Sequence, residues 1–260
     1  MGHKRLGYLP RSKAWRIIVA ELAEYALGNS EISSIAQNTL RKVQGQFGSL
    51  SNDPSIQSGF EFLLQVSLAF RKENPVKYLT DNKILEKEEL SLLKLARAAT
   101  NYKSGEVASH EYQTFAHQAA IDAINNWYNN HKDEGETLFS SGSDTTDVFS
   151  KIGNGGGFCE LSRLYFSKLT ERYLKYFLER EAATKITNIN ARKRFSSEIE
   201  RHVNDISKHA FETAKITQSY SAGWYNKHVS DEYPKESEVK GFLSYALGKM
   251  KSEILMEEVR

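Results

Sequence analysis

Proline placement constrains the fold of this 260-residue chain more than any other feature. There are four prolines, Pro10, Pro54, Pro75 and Pro234, and each stands at the edge of a helical segment rather than inside one. Between them, apolar residues recur at the spacing of a helix face. Trp15, Ile18, Leu22 and Tyr25 fall three and four apart, with Ser12 placed to cap the start and Gly28 to end the turn. Asp53 and Pro54 form a cap and a first helical position ahead of Phe60, Leu63, Leu64 and Leu68, and Pro75 is expected to close that helix.

Two further helical segments run through EKEELSLLKLARAATNY and SHEYQTFAHQAAIDAINNWYNNH. Beyond residue 157 comes a segment that is apolar nearly all round. Leu161, Tyr165, Leu169, Tyr173, Tyr176 and Phe177 cover one broad face, and Leu164, Leu174 and Leu178 line much of the rest. Such a helix is buried on several sides. The stretch from Ala191 to about His228 reads as one long amphipathic helix through Phe195, Ile199, Val203, Ile206 and Ala210. A last helix follows Pro234, carrying Leu243, Leu247, Met250 and Ile254. No alternating strand pattern and no internal repeat is present. The fold expected is all-α, a bundle of seven to nine helices with one long Gly-rich loop. Its parts are an N-terminal half with a basic arm (1–131), the loop (132–157) and a C-terminal half (158–260), together one continuous domain.

Composition narrows the class. With 40% hydrophobic and 26% charged residues the chain is that of a soluble globular protein. Net charge is only +2, so the total implies no acidic partner, yet Met1–Ala20 holds Lys4, Arg5, Arg11, Lys13 and Arg16 without one acidic residue. The single cysteine, Cys159, excludes an internal disulfide framework and suits the cytoplasm. No apolar run reaches the roughly 18 residues that a membrane span needs.

Four features carry candidate chemistry. The 132–157 loop holds six of the 16 glycines, and Gly155, Gly156 and Gly157 before a helix leave backbone N–H groups open to an anion, with Arg163 as the added charge. The run GNGGGFCELSR lacks the Gly-Lys-Ser/Thr ending of a P-loop and the strand of a dinucleotide fingerprint. Cys159 stands in the first turn of that helix, where the dipole favours thiolate, but no cysteine-protease signature accompanies it.

The third feature is a stripe. Glu198, His202, Asp205, His209 and Glu212 fall within an arc of about 80° on one helix, which nominates His202 and His209 for acid–base work. On an earlier helix His110, Gln113 and His117 share a face, and the two sets converge if the helices face each other. The Glu-x-x-His spacing of helical metal sites is absent, so no metal is assigned and no cofactor is nominated. The fourth feature is basic: Lys4, Arg5 and Arg11 in the arm, and Arg192, Lys193 and Arg194 beside Phe195, are the candidates for nucleic-acid contact. No constellation passes every spacing test for catalysis. The function expected is that of a non-catalytic helical interaction protein, a subunit or adaptor of a larger cytoplasmic assembly with a protein partner. The alternative is a nucleic-acid or nucleotide-phosphate processing enzyme using the histidine/carboxylate stripe and the glycine loop.

Overall fold

The computed structural model describes residues 12–87, 89–103, 110–132, 145–211, 219–229 and 233–256, with the side chains of residues 110 and 111 excepted. Among them are eleven α-helices and no strand. In chain order they are α1 (Lys13–Leu27), α2 (Ile32–Ser49), α3 (Pro54–Ala69), α4 (Pro75–Asp81), α5 (Leu92–Asn101), α6 (His110–His131), α7 (Thr145–Phe149), α8 (Gly155–Lys185), α9 (Ile189–Phe211), α10 (Tyr220–His228) and α11 (Glu236–Met256). Short 3-10 turns occupy Leu50–Asn52 and Ser150–Gly153.

The count exceeds seven to nine because short helices escape a periodicity reading. α4 and α7 have only seven and five residues. Pro75 opens α4 at its first position, beneath an Asn74 cap, instead of closing α3, which ends at Ala69. The expected 191–228 helix divides into α9 and α10, because Ser219 is extended and its hydroxyl accepts from Ala222 N to start a new helix. Elsewhere the local signals act as their chemistry dictates. Ser12 Oγ accepts from Trp15 N, Gly28 closes α1 at φ 84°, and Asp53 accepts from Ser55 N ahead of Pro54.

The 31-residue α8 is the axis, packed against α1, α2, α3, α6, α9 and α10. Leu161, Tyr165, Phe166, Leu169, Leu174, Phe177 and Leu178 are fully or almost fully buried around it. One connected set of buried side chains runs from Trp15 to Ile254. Its centre is aromatic: Phe60 stacks on Phe242 at 5.2 Å and Phe158 on Tyr225 at 4.3 Å. Each such pair adds about 0.5–1.5 kcal/mol beyond the area it buries.

Candidate functional site

The described part of the expected loop is mostly helical. Residues 133–144 lie outside the described residues; 145–157 form α7, a 3-10 turn and the start of α8. Gly155, Gly156 and Gly157 are the first turn of α8 itself, capped by Asn154, whose Oδ1 accepts from Gly157 N at 2.9 Å. Glycine serves close approach here. A Cβ on Gly157 would run into the carbonyl of Lys151, one on Gly153 into the carbonyl of Phe70, and one on Gly155 would meet Asn226 at 2.7 Å. Arg163 lies two turns further on and reaches α9 instead, its Nη1 donating to Asn204 Oδ1 at 3.1 Å and Ser207 Oγ at 3.3 Å.

Cys159 is buried, with Ser219 Oγ donating to its sulfur at 3.0 Å. His202 is half-buried and His209 exposed on α9. Their stripe is partly committed to structure: Tyr25 donates to Glu198 at 2.7 Å and Asp205 accepts from Lys208 at 3.1 Å. Glu212 and the His110 side chain lie outside the described residues. His117 does not join His202 and His209. It is buried with Nδ1 at 3.1 Å from Thr100 O of α5 and Nε2 at 3.4 Å from Ser58 Oγ of α3. Burial lowers its pKa, partly offset by the Thr100 carbonyl. Among the described residues no group of three or more His, Cys, Asp or Glu side chains could hold a metal ion.

Of the nucleic-acid candidates, Lys4, Arg5 and Arg11 lie outside the described residues. Arg194 is spent on Tyr25, its guanidinium 5.4 Å from the ring centroid and its Nε donating to the hydroxyl at 3.4 Å. Arg192 and Lys193 line a groove of about 340 Å³ between the last turns of α8 and the start of α9, floored by Ala182, Ala183, Ile189 and Phe195. A second groove, about 830 Å³, lies between α1 and the same end of α8, with Trp15, Val19, Ala20 and Ala23 on one side and Glu181 and Lys185 on the other.

A third concavity was not anticipated. Between α6, α8 and α9 lies a polar cleft of about 530 Å³, lined by Asn126 and Asn130 of α6, Arg163, Ser167 and Lys168 of α8, and Ser197, Glu200, Arg201, Asn204 and Lys208 of α9. Leu164 is its one apolar lining residue. Lys168 bridges Glu171 and Glu200, and its pKa is raised: burial works to lower it, but the two carboxylates more than offset that. The signal for this cleft was present in the spacing. Asn126 and Asn130, Arg163 and Ser167, and Ser197, Arg201, Asn204 and Lys208 are each three or four apart. The α9 set stands about 100° round the helix from the histidine stripe. A further cavity of about 540 Å³ beside α5 has its cations mostly committed: Lys94 pairs with Glu89, Arg97 with Glu86 and Lys103 with Glu61.

Comparison of the chain with models of protein families, with curated proteins and with solved structures finds no match. Among the described residues no helix is long and apolar enough to cross a membrane.

Proposed function

We propose that this protein works by binding, as a non-catalytic helical subunit or adaptor of a cytoplasmic assembly, and that it docks a protein partner at the end where α1, α8 and α9 meet. The observation that carries this reading is a pair of unmet needs at one end. Ile189 lines one of two grooves there, floored largely by alanine and other apolar side chains, and stands 61% exposed, while Ile17 of α1, next to Arg16 of the other groove in sequence, stands 55% exposed. Each groove also contains a buried donor without a hydrogen-bond partner among the described residues: Trp15 Nε1 in one, Arg192 Nε in the other. Such donors cost free energy until an acceptor arrives.

Apolar floors call for an inserted side chain, and the orphan donors call for carboxylate or carbonyl oxygens. A peptide segment supplies both. A nucleic-acid backbone fits less well, since it wants a row of free cations, and here Arg194 is packed on Tyr25 while Glu179 and Glu181 share the rim. The buried, hydrogen-bonded Cys159 is in keeping with a reducing compartment.

The test is native mass spectrometry of the chain purified gently from its own cell, as wild type, Ile17→Asp and Ile189→Asp. A stoichiometric protein partner that both variants lose supports the reading. A wild-type chain that runs alone, or a partner that both variants keep, overturns it.

A further inference from the structure

The cavity beside α5 carries an inference independent of protein docking. We propose that it binds a medium-chain fatty acid, with the carboxylate held at a lysine rim and the acyl chain laid on an apolar floor.

The backbone gives the first reason. Lys83 follows the end of α4 and Lys103 the end of α5, and both are left-handed, at φ 58° and 48°. They are the two non-glycine residues with positive φ among the described residues, and both line this one cavity of about 540 Å³. A chain leaving a helix often takes this shape, but glycine or asparagine takes it at least cost. α1 follows that rule with Gly28. At position 83 the turn is made by main chain alone, Lys83 N donating to Thr80 O and Ile84 N to Leu79 O, both at 2.9 Å. Those bonds would serve glycine equally well. Strain that the fold does not require is a mark of ligand sites.

Charge gives the second reason. Lys83, Lys87, Lys94, Arg97 and Lys103 line the cavity, against the two carboxylates of Glu86 and Glu89. Lys94 pairs with Glu89 and Lys103 with Glu61, but neither Lys83 nor Lys87 has a carboxylate at ion-pair distance among the described residues. Arg97 and Glu86 stand 3.9 Å apart with side chains 71% and 78% exposed. Such a pair is worth little and yields readily to a ligand. The rim favours an anion.

The floor decides which anion. Ile84 and Leu85, 8% and 5% exposed, lie there with Ala98 and Tyr102. Tyr102 is the single aromatic lining residue, and its ring is already engaged: Phe62 packs on it at 5.7 Å and Lys103 Nζ lies over it at 5.7 Å. A planar base or aryl group finds little open ring to stack on. A flexible aliphatic chain fits the isoleucine, leucine and alanine, and the stems of the lysines extend that apolar surface. The volume is that of a site for one small molecule.

Isothermal titration calorimetry of the full chain tests this, with decanoate, hexanoate and decanol as probes, each below the concentration at which it aggregates. Expected are saturable one-to-one binding of decanoate and weaker binding of both hexanoate and decanol. Each methylene that leaves the floor costs up to about fourfold in affinity. The deciding variant is Lys83→Gly, which removes a cation and suits the left-handed turn. It is expected to raise the urea midpoint while weakening decanoate about threefold, the size of one exposed ion pair. The proposal is overturned by no saturable binding, by decanol binding as tightly as decanoate, or by decanoate affinity unchanged in Lys83→Gly. A lower midpoint in Lys83→Gly also overturns it, since the lysine would then serve the fold.

Discussion

The two ends of α8 solve the same problem in opposite ways. At its start, glycine lets backbone meet backbone and several polar groups are satisfied internally. Ser162 and Ser221 hydroxyls lie 2.8 Å apart, Ser67 Oγ donates to Tyr225 at 2.9 Å, and Asn154 caps the first turn. At its finish, small residues leave grooves open, and Trp15 Nε1 and Arg192 Nε find no partner among the described residues. The lesson is that small side chains announce close approach, but not what approaches. Where the fold itself fills the space the glycines are architecture. Where the space stays open and donors go unmet, a ligand or partner has room.

Substitution at the closed end gives the largest expected effect. Gly157→Ala forces a Cβ onto the Lys151 carbonyl, and Gly153→Ala onto that of Phe70. Backbone cannot rotate aside as a side chain can, so each is expected to lose about 3 kcal/mol, the upper part of the overpacking range. Urea unfolding followed by circular dichroism measures it. Unchanged stability in both variants would break the comparison, because the start of α8 would then be as open as its finish.

The closed character extends to α3 and α6, where a Cβ on Gly59 would meet Ala116 at 2.9 Å, and the neighbouring His117 reports on it through pH. Its folded pKa is lowered from 6.5, chiefly by burial. The folded state therefore binds fewer protons than the unfolded state below pH 6.5. Stability from this group is complete above that value and falls as pH drops toward the folded pKa, with a slope of at most about 1.4 kcal/mol per pH unit. Thermal unfolding of wild type against His117→Gln between pH 7 and 5 isolates it. The variant is expected to show the shallower decline, and parallel curves would mean that His117 is solvated.

Much of this contrast was legible in the chain and part was not. The axis of the bundle was readable because α8 places apolar residues all round, and Ser12, Gly28 and Asp53 act as their types demand. The glycine run is ambiguous in sequence because freedom of backbone and closeness of packing have the same one-letter signature. Only the position of the Lys151 carbonyl decides between them. Arg163 was nominated for an anion from its place on α8, but that its Nη1 donates to Asn204 and Ser207, 41 and 44 positions away on α9, was not readable from the chain. The cleft required knowing that α6 and α9 flank the same side of α8, a tertiary fact. Its polar stripes were visible one helix at a time, each indistinguishable from an ordinary solvated face.

An exposed glycine supplies the control for the closed end. Nothing lies within 4 Å of a Cβ on Gly45, in the interior of α2. Gly45→Ala is expected to stabilise the protein by about 0.5–1 kcal/mol, since alanine loses less backbone freedom on entering a helix. The sign is the point. Opposite signs for Gly45→Ala and Gly157→Ala in the same unfolding assay separate glycine that fills a contact from glycine that fills none.

The smallest effect on stability is expected at the open end. Ile17 and Ile189 touch solvent over most of their surface, so replacing either with Asp removes little buried area. The cost should stay within about 0.5 kcal/mol, as for most surface positions. That near-neutrality is what gives the docking test its meaning. A partner lost by a chain that unfolds at the wild-type urea midpoint is lost from a surface, whereas a midpoint that falls with Ile189→Asp would show that the residue belongs to the core and that the α8 finish is closed after all.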